Sequence, residues 1–125
     1  MENITLNYNT VLENEVITWF NAGKVEDFSA DSGSCVKYKN LQISVFNDER
    51  NGKWYACQNL CPHKLEMVLS RGILGSSGEV PKIACPLHKK TFSLEDGSCL
   101  SGDQLSIAIY PVVVKDGSVF IGFKE

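Results

Sequence analysis

The chain has 125 residues, the size of one typical domain, with 43% hydrophobic and 22% charged residues. This composition excludes global disorder, and no run approaches the roughly 18 apolar residues that a membrane-spanning helix requires. With 12 basic and 15 acidic residues the net charge is −3, which argues against a general nucleic-acid binder.

The first fifteen residues differ in composition from the rest of the chain. Residues 1–15 are polar and rich in asparagine, and they are predicted to form an N-terminal extension, either a short edge strand or a frayed end. This start has neither a basic flank nor an apolar run, and the five cysteines are an odd number. Both features favour a reducing cytoplasm over a secreted, disulfide-bonded protein. Residues 16–125 are then expected to form a single domain.

The remaining elements are predicted to be short strands. Their β-rich runs lie at residues 16–20, 35–38, 41–46, 54–57, 107–114 and 118–123. Residues 47–52 and the Asp116-Gly117 pair have the composition of hairpin connections. Only residues 60–73 have room for a helical turn. The pattern predicts an all-β fold, a small sandwich or barrel of about eight to ten strands.

Two related segments interrupt this pattern and contain both histidines of the chain. They are Cys61-Pro62-His63 and Cys85-Pro86-Leu87-His88. Two thiols and two imidazoles could hold one tetrahedral zinc ion, although the single residue between Cys61 and His63 is tight for one metal. The same set fits two irons bridged by two sulfides, with two histidines on one of the irons. The sequence therefore favours a [2Fe–2S] cluster, with zinc as the alternative.

At these residues the sequence resembles the Rieske iron–sulfur domain. The resemblance implies an antiparallel all-β sandwich or barrel with two cluster-binding loops. It also implies that Cys61 and Cys85 bind the inner iron, and that His63 and His88 bind the outer iron.

Members of the family from respiratory bc-type complexes have an additional cysteine in each loop, and these cysteines form a disulfide. Glu66 and Leu87 stand at those positions here, so the resemblance implies no such bond. The serine and tyrosine that hydrogen-bond the cluster are replaced by Lys90 and Phe92. Fewer hydrogen bonds predict a reduction potential near the low end of the Rieske range, about −150 mV.

A narrower resemblance comes from V-L-S-R-G-I at residues 68–73 and C-P-L-H-K-K-T-F at residues 85–92. These stretches are similar to the small subunit of assimilatory NAD(P)H-dependent nitrite reductase. The resemblance implies an oxidoreductase complex that converts nitrite to ammonia, and a large partner subunit that holds flavin and sirohaem. The chain alone is not expected to be catalytic, and its cluster would either transfer single electrons or stabilise the complex.

Two other functions stay open at this point: a Rieske ferredoxin that supplies a ring-hydroxylating oxygenase, and a non-catalytic interaction module with a structural cluster. Lys89 follows the second histidine where such ferredoxins usually have glycine, which favours the nitrite reductase branch. Lysines and an arginine near the ligands have two interpretations, a basic docking surface for an acidic partner and an ordinary solvated surface. They are Lys64, Arg71, Lys82, Lys89 and Lys90. The remaining cysteines and both tryptophans are predicted to be buried; they are Cys35, Cys57, Cys99, Trp19 and Trp54.

Overall fold

The computed structural model describes residues 8–39, 41–61, 66–87, 90–102 and 104–124. In these residues the fold is all-β, as predicted, and every strand pairing in its sheets is antiparallel. The strands are β1 Thr18–Lys24, β2 Gly33–Tyr38, β3 Leu41–Asp48, β4 Lys53–Gln58, β5 Leu60–Cys61, β6 Glu66–Met67, β7 Ile73–Ser77, β8 Val80–Ala84, β9 Thr91–Ser93, β10 Ile109–Tyr110, β11 Val112–Lys115 and β12 Ser118–Phe123. Their number exceeds the predicted eight to ten because β5 and β6 are two-residue ladders, too short for a sequence pattern to mark, and because the predicted run at residues 107–114 is divided between β10 and β11. The strands β7, β8 and β9 fall outside every predicted β-rich run.

Two sheets enclose the first of two hydrophobic clusters. The sheets have the orders β1-β12-β11 and β10-β4-β3-β2. The strands β3 and β4 are joined by a 3₁₀ helix, Glu49–Asn51, which is followed by Gly52. Gly52 has a φ of 65°, a left-handed conformation that glycine adopts without strain. Between the sheets lie fully buried aliphatic side chains such as Ile43, Val45 and Ile121.

Pro111 marks the point where the chain passes from one sheet to the other. Ile109 and Tyr110 pair with β4, whereas Val112 and the residues after it pair with β12. Proline has no N–H to donate to either ladder, which suits this position between them. Its carbonyl still accepts from the Gly122 N–H at 2.9 Å. The chain therefore changes from one sheet to the other at Pro111.

The second cluster lies beside the ligand motifs. The sheet β7-β8-β9 and the short hairpin β5-β6 belong to this part of the fold. The buried side chains of the second cluster are Phe46, Cys57, Leu69, Ile83, Cys85, Phe92, Leu94 and Ile107. A 3₁₀ helix at Leu69–Arg71, called the central helix below, supplies Leu69. It falls inside the 60–73 stretch where a helical turn was predicted. The prediction that no other stretch has room for one is wrong, since the described residues also form 3₁₀ helices at Glu13–Glu15, Val25–Asp27 and Glu49–Asn51.

The segment before β1 packs on the domain from its first described residue. Tyr8 and Val11 are buried in the first cluster. The Tyr8 hydroxyl accepts from the Gln42 N–H at 3.1 Å, and the Val11 N–H donates to the Ile109 carbonyl at 2.9 Å. Residues 8–15 therefore contribute to the core, whereas residues 1–7, the rest of the predicted extension, lie outside the described part.

The two tryptophans differ in burial. Trp54 is half-buried and meets Phe28 edge-on, with ring centroids 5.6 Å apart. Trp19 is 40% exposed, so its predicted burial is wrong. The reason is that β1 is an edge strand whose alternate side chains face outward. No helix within the described residues has both the length and the apolar character to cross a membrane.

Candidate metal centre

The first ligand segment follows β4 almost directly. Cys61 ends β5, and its backbone pairs with that of Glu66 in β6, so the chain reverses direction between these two residues. The Cys61 side chain lies outside the described part of the structure, and so do Pro62 and His63. The structure thus places the base of this loop, although it does not describe three of the predicted donor side chains, those of Cys61, His63 and His88.

The second ligand segment begins at the end of β8. Cys85 follows Ala84, and its side chain is only 1% exposed within the second cluster. Its N–H donates to the Lys90 carbonyl at 2.8 Å, which closes residues 85–90 into a tight loop. Leu87 near the tip is 53% exposed. The loop therefore has a buried cysteine at its base and an exposed surface one residue before His88, which itself lies outside the described residues.

The central helix lies between the two ligand segments. Its Leu69 N–H donates to the Asn59 carbonyl at 3.2 Å, two residues before Cys61. At its other end Gly72 contacts the Ala84 carbonyl so closely that a Cβ on Gly72 would collide with it. Ala84 directly precedes Cys85. The structure therefore brings the base of the first loop and the base of the second loop to opposite ends of one short element.

The predicted donors fit a [2Fe–2S] cluster in type and in charge. Two ferric ions, two sulfides and two thiolates sum to zero when both imidazoles are neutral. The apolar surroundings of Cys85 favour such a neutral group, because burying net charge among apolar side chains is costly. Among the described residues no three histidine, cysteine or acidic side chains lie together as a metal site, since three of the four predicted donors are outside them.

The other cysteines differ from one another more than predicted. Cys57 is fully buried in the second cluster, and burial raises the pKa of its thiol. Cys99 is half-buried, whereas Cys35 is exposed, so the predicted burial of Cys35 is wrong. Cys35 lies on β2, the outermost strand of its sheet, where one face is open to solvent. The described cysteine side chains are all free, with no disulfide among Cys35, Cys57, Cys85 and Cys99.

Sequence reasoning missed a buried polar cluster beneath the first loop. Asn59, 3% exposed, accepts through Oδ1 from the Ser70 N–H at 2.7 Å and from the Ser44 hydroxyl at 2.9 Å. Its Nδ2 donates to the Gln42 Oε1 at 3.2 Å. Gln58 is also buried and donates to the Leu60 carbonyl. The available signal was the amide pair Gln58-Asn59 between a β-rich run and the ligand motif.

The predicted basic surface is described only in part. Arg71, at the end of the central helix, is exposed, and Lys82 and Lys90 are half-buried. Lys64 and Lys89 lie outside the described residues. In sequence, Lys82 and Lys90 therefore stand on either side of the second ligand segment, and Arg71 ends the helix between the two segments.

One class of iron–sulfur protein is defined by an antiparallel all-β fold, two ligand segments and a donor set of two cysteines and two histidines. The sequence model of one protein family, the Rieske-like [2Fe-2S] domain, matches residues 18–122, and the chain belongs to this family. Its cofactor is a Rieske-type [2Fe–2S] cluster.

Within that family, the chain is similar to proteins of nitrite reduction. It is 32% identical over 101 residues to the nitrite reductase (NADH) small subunit of Escherichia coli K12, covering 81% of this chain and 94% of that one. The solution structure of the E. coli protein NirD matches with a TM-score of 0.77 and 30% identity, covering 86% of this chain and 98% of that one. The nitrite reductase [NAD(P)H] of Emericella nidulans is 32% identical over 114 residues, which cover 84% of this chain and 10% of that protein. The chain is thus homologous to small subunits of an oxidoreductase.

Proposed function

We propose that the chain is the small subunit of an NAD(P)H-dependent nitrite reductase, which converts nitrite to ammonia. The observation that carries this proposal is the 32% identity that extends over 94% of the E. coli small subunit. The similarity thus covers a whole protein of the same kind. All four donors that the Rieske resemblance requires are present in this sequence.

The proposed ligands divide between the two irons. The thiolates of Cys61 and Cys85 bind the inner iron, and the imidazoles of His63 and His88 bind the outer iron. Supporting this, Cys85 is buried at the base of its loop while Leu87, next to His88, is exposed. When bound, the cluster accepts and donates one electron. The chain's own contribution is to hold these donors in two short loops and to exclude water from the cysteine side.

The proposed partner is a large subunit that holds flavin and sirohaem. The relative from Emericella supports the association, because there a segment similar to this chain forms 10% of one long nitrite reductase. This sequence contains no G-x-G-x-x-G segment for a dinucleotide. We assign oxidation of NAD(P)H and reduction of nitrite to the partner, in the cytoplasm. Residues 16–125 form the proposed domain that docks there, and the packed segment that begins at Tyr8 extends this domain.

The ligand set is tested by cluster analysis of purified protein. We expect two irons and two acid-labile sulfides per chain, a reduced-state EPR spectrum of mixed thiolate and imidazole ligation, and a midpoint potential near the low end of the range, about −150 mV. Cys85→Ser should lose the cluster, whereas Cys99→Ser, which changes a half-buried cysteine outside the motif, should retain it. Zinc in the wild-type protein, or equal iron in both variants, would overturn the ligand assignment.

The partner and the reaction are tested with the tagged chain expressed in its own host. The expected result is co-purification of a sirohaem-containing chain and NADH-dependent loss of nitrite with formation of ammonium. Purification without that chain, together with electron delivery to a ring-hydroxylating oxygenase, would support the ferredoxin function instead. Unchanged nitrite turnover by an intact complex that carries Cys85→Ser and lacks the cluster would show that the cluster transfers no electrons during turnover, which favours the non-catalytic interaction module.

A further inference from the structure

Asn59, the single residue between β4 and β5, forms hydrogen bonds through both its backbone and its side chain. Its backbone N–H donates to the Gln42 carbonyl at 2.9 Å, and its carbonyl accepts from the Leu69 N–H at 3.2 Å. Its side-chain oxygen accepts from the Ser70 N–H and the Ser44 hydroxyl, and its amide nitrogen donates to Gln42 Oε1. The residue is 3% exposed, and its side-chain bond to Ser44 is buried, whereas those to Ser70 and Gln42 are part-buried.

These bonds connect the two ends of one loop. Asn59 directly precedes β5, and Leu69 and Ser70 belong to the central helix. The chain between them carries Cys61 and His63. Because Asn59 binds two successive residues of the helix, through its carbonyl and through its side chain, it fixes both the position and the direction of the helix relative to Cys61.

The central helix is also fixed on the side of the second loop. Leu69 is fully buried in the hydrophobic cluster that contains Cys85. Gly72, directly after the helix, lies against the carbonyl of Ala84, the residue before Cys85. On a third side a Cβ at Gly33 of β2 would collide with the Ser70 carbonyl, so β2 supports the helix closely. These packing contacts hold the helix on the side of the second loop and on the side of β2, and Asn59 holds it on the side of the first loop.

We propose that Asn59 is a positioning residue that sets the spacing between Cys61 and Cys85 by clamping the central helix. The inference rests on the proposed ligand set, in which these two cysteines bind the same iron. Groups that orient metal ligands commonly change metal affinity by roughly ten- to a hundredfold when they are removed. Asn59 acts through the backbone that carries the cysteines and need not contact the cluster.

The experiment compares holoproteins carrying Asn59→Ala, Asn59→Asp or Asn47→Ala with the wild type. Asn47 is the matched control: it is 7% exposed and donates its Nδ2 to the Phe28 carbonyl at 3.3 Å, near the other end of β3. The rate of cluster release to an iron chelator is followed by the loss of visible absorbance, and the EPR line width and the denaturant midpoint are measured for each variant.

We expect Asn59→Ala to release the cluster about tenfold faster or more and to broaden the EPR lines. Asn47→Ala should lower the denaturant midpoint and leave the release rate near that of the wild type. Asn59→Asp should release the cluster more slowly than Asn59→Ala, because its carboxyl group still accepts from Ser44 and Ser70 while the Gln42 amide turns to donate. The cost of burying a carboxylate keeps its release faster than that of the wild type. If Asn59→Ala does not fold, Asn59→Ser replaces it, since its hydroxyl is too short to reach the helix.

Equal release rates in Asn59→Ala and Asn47→Ala would overturn the inference and leave Asn59 as a residue of the fold alone. A wild-type protein that binds no [2Fe–2S] cluster would instead refute the proposed ligand set. The two failures are therefore distinguishable.

Discussion

The described cysteine side chains range from fully buried to exposed, and this range determines which thiols are reactive. Cys57 has no exposed surface and contributes to the second hydrophobic cluster. Burial raises the pKa of the Cys57 thiol, and partial burial raises the pKa of the Cys35 thiol. Because the thiolate is the reactive form, a raised pKa lowers reactivity at a given pH. Cys35 remains accessible on the edge strand β2, whereas Cys57 does not.

Alkylation of the native holoprotein at pH 8 should therefore modify Cys35 first and leave Cys57 unmodified until the protein unfolds. Peptide mass spectrometry over a time course measures both rates in one sample. Cys35→Ser is the control and should remove the fast phase without slowing the modification of the other cysteines. Modification of Cys57 at the rate of Cys35 would contradict the packing of the second cluster.

Sequence patterns predicted the roles of some residues and not the exposure or role of others, and the difference has a physical reason. The ligand motif was readable because its chemistry requires particular residue types at short spacing. The exposure of Trp19 and Cys35 was not readable, because it depends on which strands end a sheet, and pairing order is a property of distant parts of the chain. The role of Asn59 was hidden for the same reason, since its partners Ser44 and Ser70 come from separate elements.

At the scale of elements, the central helix is held by a close approach that only glycine permits. A Cβ at Gly72 would collide with the Ala84 carbonyl and press on the Ile83 side chain at 3.0 Å. Gly75 lies three residues further along, in β7, and a Cβ there would meet only the end of the Lys82 side chain at 3.7 Å. Neither glycine has a positive φ, so the two differ in space and not in backbone strain.

Gly72→Ala should accordingly lower the free energy of unfolding by about 1–3 kcal/mol, the usual cost of forcing atoms into a packed region. Gly75→Ala should be neutral or slightly stabilising, because alanine restricts the unfolded chain without a clash in the folded one. Urea unfolding of both variants measures the difference. Equal free energies for the two would show that the helix and β8 separate freely to admit the methyl group.

Strand prediction succeeded where hydrophobic runs were long and failed near the ligands. β3 and β12 were evident because several β-forming residues occur in succession. β5 and β6 have two residues each, and their pairing follows from the reversal of the chain around the motif. A two-residue strand is too short to show periodicity in the sequence. It forms because the loop around the ligand motif brings its two ends together.

The whole molecule combines two hydrophobic clusters with different tasks. The first holds together the sheets β1-β12-β11 and β10-β4-β3-β2 and the segment from Tyr8 to Val11. The second surrounds Cys85 and contains Leu69 of the central helix. Three basic residues, Arg71, Lys82 and Lys90, lie in this part of the chain. Arg71, the last residue of the central helix, is exposed. A partner approaching the ligand loops would therefore encounter positive charge on a protein whose net charge is −3.

Charge reversal at this surface should slow association with an acidic partner face. Arg71→Glu is expected to reduce the association rate with the large subunit several-fold at low ionic strength, because surface fields steer encounters. The effect should shrink as salt rises, since the Debye length falls to about 8 Å at 0.15 M. Lys115→Glu makes the same charge change on an exposed side chain of β11, in another sheet, and should leave the rate nearly unchanged. Stopped-flow measurements across a salt series separate the two variants. Equal slowing by both would assign the effect to net charge, and no slowing by Arg71→Glu would place the docking surface elsewhere on the molecule.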